Sequence, residues 1–161
     1  MAESPLPSLT ETDPALTARF ALSAKTSESQ QRALTLCRKH LANSALPADK
    51  RAGVQIAAGR CAYELALNEP NQDVKTKLFQ EVVDLLGPLA AQGSFLSAPG
   101  RNSVLLRLAA AQANLGRHTE TLEALDKLQF SASLGAREAA EQKDAEALRI
   151  YAQGKIAAKQ V

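Results

Sequence analysis

The stretch VLLRLAAAQANLGRHTETLEALDKL, residues 104–128, carries one helical pattern twice, with a single glycine between. Val104, Leu105, Leu108, Ala109 and Gln112 recur at the spacing of one helix face, and Leu122, Leu125 and Leu128 do so again. Gly116 stands where a helix end calls for a residue at ease with positive φ. The spacing predicts helices over about 101–115 and about 118–129, joined as a tight hairpin.

The composition extends that reading to the whole chain. Its 161 residues include 31 Ala and 24 Leu but only 9 Val plus Ile, with 4 Phe, 2 Tyr and no Trp. Ala and Leu lose little on entering a helix, whereas strands draw on β-branched and aromatic residues. The expected fold class is therefore all-α, as about seven helices in antiparallel hairpins. At this length one domain is expected, over 13–161, behind a flexible tail at 1–12 that carries two prolines and no periodicity.

Upstream, Asp13-Pro14 is a helix start, with a carboxylate cap and proline at the first helical position. A short helix over about 14–24 follows. Thr26 caps a second, about 27–43, with Ala33, Leu34, Cys37 and Leu41 on its apolar face. Pro47 opens a third, about 47–67, rich in small residues: Ala52, Gly53, Ala57, Ala58, Gly59, Ala62 and Ala66. Interior glycines cost a helix about 1 kcal/mol each relative to alanine, so close approach of a neighbouring helix is expected at Gly53 and Gly59.

A fourth helix, about 72–92, has two apolar rows, Val74–Leu78–Val82–Leu85–Leu89 and Phe79–Val83–Leu86. Gly87-Pro88 is expected to kink or break it. The run from Gly93 to Gly100 reads as a loop with Phe95 tucked onto the core, and Phe130 to Gly135 as another break. The last helix, about 134–158, reads as amphipathic through Ala136, Ala140, Ala147, Leu148 and Tyr151.

Several function classes find no support. The formal net charge is only +2, and its one basic cluster, Arg32, Arg38, Lys39, His40, Lys50 and Arg51, suits a solvated face, so no nucleic acid is expected. No apolar run approaches the length of a membrane span, and the N-terminus lacks a secretory pattern, so a cytoplasmic protein without membrane insertion is expected. Cys37 and Cys61 fall in apolar helical rows and read as free buried thiols. His40 and His118 are the only imidazoles, too few beside these cysteines for a zinc site. No set of nucleophile, base and orienting group can be assembled, and glycines are scattered rather than clustered as in a phosphate loop. Neither a catalytic residue, a metal site nor a cofactor is expected, and the chain reads as a non-enzyme.

Residues 104–128 resemble a tetratricopeptide-repeat unit. Gly116 matches the family's turn glycine, Leu105 and Leu108 its large apolar positions, Ala109 its small position, and Leu125 and Leu128 its second-helix apolar sites. Gln112 stands where an aromatic is common and Thr121 where alanine is usual. A second unit, about 52–86, resembles the family through Ala58-Gly59 and Tyr63, but its turn is too long. Gly59 and Ala109 are 50 residues apart, against a period of about 34.

The resemblance implies a short solenoid and a non-catalytic protein–protein interaction module, with a concave groove holding a peptide or amphipathic helix of another protein. By that carry-over the groove takes Ile56, Arg60 and Tyr63 from the third helix, and Asn102, Leu106, Ala110 and Asn114 from the fifth. The basic clamp of the carboxylate-binding members is absent, since Leu106 and Ala110 occupy its fifth-helix positions. Such a module is either an adaptor within a larger assembly or a small chaperone that shields a partner helix. The competing class is a helical-bundle enzyme or ligand binder with a closed pocket.

Overall fold

The computed structural model describes residues 13–92, 98–130 and 135–159. The expectations for the tail 1–12, for Phe95 and for the break at 131–134 lie outside these. Among the described residues the chain is all-α, with seven helices packed mostly in sequential order and no strand. They are α1 (Pro14–Ser23), α2 (Ser27–Leu41), α3 (Ala48–Asn68), α4 (Gln72–Gln92), α5 (Ala98–Asn114), α6 (His118–Asp126) and α7 (Ala136–Lys159).

The helix ends follow local chemistry. Asp13 Oδ1 accepts from the Ala15 amide at 2.9 Å, with Pro14 beginning α1. Thr26 and Ser29 form a capping box: the Ser29 amide donates to Thr26 Oγ1 at 3.1 Å, and the Thr26 amide donates to Ser29 Oγ at 3.1 Å. Gly116 sits at φ +78°, in the left-handed region where a Cβ would be strained. Three points differ from expectation, the first being that α6 stops at Asp126 rather than near 129. α5 begins at Ala98 rather than near 101, because Pro99 falls in the first turn, where a missing N–H loses no helical bond. α4 also continues through Pro88 to Gln92 rather than breaking. Gly87, just before the ring, has no Cβ to clash with it.

The chain divides into two compact units, with the boundary between Glu81 and Val82, inside α4. In the first unit α1, α2 and α3 pack pairwise on one another. Its core is built of Ala21, Ala33, Leu34, Cys37, Val54, Ala57, Ala58, Cys61 and Ala62, with Phe79 from α4. Gly59 is buried, but Gly53 is not in a close helix crossing: a Cβ added there meets no other heavy atom within 4 Å. The small residue at Gly53 is thus not compensated by packing, contrary to the sequence expectation.

In the second unit α5, α6 and α7 likewise pack on one another. Val104, Leu105, Leu108, Ala109, Ala124 and Leu125 are buried, as are Val82, Leu86 and Leu89 of α4. Thr121 is fully buried, and its hydroxyl donates to the backbone oxygens of Arg117 (2.9 Å) and Ala109 (3.3 Å). That satisfaction lets a polar residue occupy a helix-crossing position.

Two face assignments need correcting. On α4 the buried row is Phe79–Val82–Leu86–Leu89, while Val74 is 43% exposed. On α7 the buried residues are Ala145 and Ala152, whereas Ala136, Ala140, Ala147 and Tyr151 are exposed. Alanine on both sides of α7 gives the helical period two nearly equal solutions. The larger pair Leu148 and Ile156, both half-buried, flanks the chosen one.

Candidate functional site

The first unit contains an open cleft of about 310 Å³ formed by α2, the end of α3 and the start of α4. Leu34, Leu65, Val74 and Leu78 give it an apolar floor and wall, and Gln31, Thr35, Arg38 and Glu69 a polar rim. Leu34 belongs to the core, at 1% exposure, so the floor is continuous with the interior. Asn71 sets the angle at which α4 enters. Its Oδ1 accepts from the amides of Asp73 at 3.0 Å and Val74 at 3.2 Å, closing the first turn beside the cleft.

Three of the four rim residues are engaged within the chain through their side chains. Arg38 grips Glu81 with two parallel bonds, Nε to Oε2 at 2.8 Å and Nη2 to Oε1 at 2.6 Å. That hydrogen bond raises the Arg38 pKa above its ordinary value. Thr35 donates its hydroxyl to the Gln31 carbonyl at 2.9 Å, and Glu69 accepts from the Asn71 amide at 3.0 Å. The cleft thus sets leucine and valine surface beside polar groups of which Arg38 is already paired.

The two thiols lie in the core of the same unit. Cys37 and Cys61 are free and buried, and Cys61 donates to the Ala21 carbonyl at 3.4 Å. Burial, then the neighbouring Cys61 and Glu81, push the Cys37 pKa up to about 12. A thiol held in that state is a poor nucleophile, since the thiolate is the reactive form. Among the described residues no group of three or more His, Cys, Asp or Glu is placed to hold a metal.

The seven residues expected in the groove fall in both units. In the first, Ile56, Arg60 and Tyr63 are half-buried. Arg60 Nη1 donates to the Ala21 carbonyl at 3.0 Å, so it closes the C-terminal end of α1. Tyr63 stands edge-on to Phe79, with ring centroids 6.0 Å apart. In the second, Asn102 is buried and tied at both ends of its amide to Gln129. Its Nδ2 donates to the carbonyl at 2.6 Å, and its Oδ1 accepts from the amide at 3.1 Å. Leu106 and Ala110 are half-buried and Asn114 exposed, its Nδ2 donating to the Ala110 carbonyl at 2.8 Å. Ser103 shares their face of α5 and donates to Glu141 of α7 at 3.2 Å, so that face begins beside the last helix.

The two histidines have different settings. His40 Nε2 and the buried Thr17 hydroxyl lie 2.9 Å apart, whereas His118 meets Tyr151 edge-on at 5.7 Å. The basic cluster is partly structural. Arg51 donates to the carbonyls of Leu41 (3.0 Å) and Asn43 (2.6 Å), closing the end of α2, while Arg38 serves the ion pair described above.

Sequence reasoning overlooked the cleft itself. Its signal was Val74 and Leu78, one turn apart at the edge of the buried row of α4, apolar surface that the period alone assigned to the core. A smaller hollow in the second unit, about 240 Å³, lies between α6 and α7, with the Arg149–Asp126 ion pair (2.8 Å) along its edge. No helix among the described residues is long and apolar enough to cross a membrane. No family model, curated protein or solved structure matches this chain.

Proposed function

We propose that the chain is a non-catalytic protein–protein interaction module that receives an apolar segment of a partner, a peptide or one face of an amphipathic helix. The observation that carries this reading is the cleft of α2, α3 and α4, where Thr35, Arg38 and Glu69 of the rim are hydrogen-bonded within the chain while Val74 stands 43% exposed beside a leucine floor. An exposed apolar patch beside polar groups that are mostly committed elsewhere suits a protein surface better than a small polar substrate.

In this reading the α5–α6 hairpin is a tetratricopeptide-like unit. Support comes from Gly116 in its left-handed turn, the fully buried Ala109, and the packing of α7 on both preceding helices. The concave groove implied by the family, with Ile56, Arg60, Tyr63, Asn102, Leu106, Ala110 and Asn114, rests on the resemblance alone. The cleft rests on geometry and is the contact surface we favour. Adaptor and chaperone roles both use such a surface.

A photo-cross-linking residue placed at Val74 tests this in the source cell. The expected result is one dominant polypeptide adduct, lost in a Leu78→Asp background whose circular dichroism and melting remain native. Adduct formation that survives Leu78→Asp but fails with Tyr63→Asp and Leu106→Asp would move the contact to the family-type groove. No polypeptide adduct from Val74 would contradict the cleft as the contact surface.

A further inference from the structure

The outward side of α7 is unusual for a helix at a protein surface. Positions 136, 140, 143, 147, 150, 154 and 157 are spaced alternately by four and three residues, which places them on one seam, and all seven are exposed. They read Ala136, Ala140, Lys143, Ala147, Ile150, Gly154 and Ala157, a single charge in seven residues. Ile150 is 67% exposed and Tyr151, beside it, 48%. The inward side of the same helix buries only Ala145 and Ala152. Inward it also half-buries Leu148 and Ile156, so α7 carries apolar residues on both sides, whereas a surface helix keeps its outward face polar.

Charge on α7 says what fits there. Its first half, 136–147, carries Glu138, Glu141, Asp144 and Glu146 against Arg137 and Lys143. Its second half, 148–159, carries Arg149, Lys155 and Lys159 and no acid. A helix acidic at one end and basic at the other is complementary to itself when reversed. We propose that α7 pairs antiparallel with α7 of a second copy of this chain, through the 136–157 seam, about a two-fold axis near Ala147 and Ile150.

The register follows from size. Seating Ile150 on Ala147 of the second copy sets Lys143 over Gly154 and Ala140 beside Ala157, each large side chain meeting a small one. The same register brings Asp144 within reach of Lys155 of the second copy, on both sides of the axis at once, as an isologous contact requires. Lys155 now lies 5.6 Å from the Tyr151 ring centroid, at the edge of the seam, ready to make that pair. The seam spans about 32 Å at a rise of about 1.5 Å per residue. One helix face of that length belongs with the smaller, reversible interfaces. The seam and the cleft belong to different units and share no residue, so the two proposals succeed or fail separately.

Sedimentation equilibrium of the full chain over a wide concentration series provides the test. The expected mass rises from one chain toward two, and Ile150→Glu weakens the association about tenfold or more. Asp144→Lys and Lys155→Asp should each weaken it alone, and mixing the two variants should restore it, because the reversed charges then face their opposites. A single-chain mass throughout would overturn the proposal. So would a dimer indifferent to Ile150→Glu, or a mixture of the charge variants that fails to recover.

Discussion

Helices α3 and α7 are both long and alanine-rich, yet they occupy opposite environments. α3 buries Ala52, Val54, Ala57, Ala58, Gly59, Cys61, Ala62, Leu65 and Ala66, residues spread around much of its circumference, whereas α7 buries Ala145 and Ala152 alone. Alanine content is therefore silent about depth. What separates the two is the company each keeps. α3 packs against α1 and α2 together and also meets Phe79 through Tyr63. α7 lies along α5 and α6 on one side and turns an apolar seam outward on the other.

The sharpest way to break this contrast is a charge. Ala62→Asp in α3 puts a carboxylate at a position with 0% exposure, and the expected loss is several kcal/mol, a large part of what holds a small protein folded. Ala147→Asp in α7, measured in dilute solution, should change stability by about 0.5 kcal/mol or less. Urea denaturation followed by circular dichroism compares them directly. Equal losses would abolish the distinction.

The thiols sharpen it from the buried side. Cys37 is held near pKa 12 in the fold, against 9.0 for an ordinary, exposed thiol. Because the folded value is the higher, its contribution is intact below about pH 9 and is lost as pH rises toward 12, where the unfolded chain ionises first. Unfolding stability should therefore fall over that window, and less so in Cys37→Ala. In the native protein Ellman's reagent should react slowly with Cys37 and Cys61, but at once with a thiol introduced by Ile150→Cys.

The smallest effect concerns glycines that both helices share. Gly53 in α3 and Gly154 in α7 each have open space where a Cβ would stand. Gly53→Ala and Gly154→Ala should each raise stability by up to about 1 kcal/mol through the chain's lost unfolded freedom. A fall in melting temperature for Gly53→Ala would show a close packing partner there after all.

These contrasts also explain what could be read in advance. Helix starts at Asp13-Pro14 and Thr26, and the turn at Gly116, were legible because a cap or a positive φ is a local demand that residue chemistry meets within a few positions. The α5–α6 hairpin was legible because Leu105, Leu108, Ala109 and Leu125 recur at helical spacing on either side of Gly116, with Arg107, Glu120 and Glu123 falling off the buried face. The inward face of α7 was not, since Ala136, Ala140 and Ala147 compete with Ala145 and Ala152 on nearly equal terms. Val74 failed for a related reason: periodicity marks it as apolar but says nothing of whether a neighbour covers it. The cleft depends on where three helices leave a gap, which no single stretch encodes.

Amide hydrogen exchange, followed by mass spectrometry at several protein concentrations, tests the contrast between the two helices most directly. Peptides from α3 should exchange only on global unfolding at every concentration. Peptides covering 147–158 should open far more readily in dilute solution and gain protection as concentration rises. Equal protection of α7 and α3 in dilute protein, with no dependence on concentration, would contradict the account.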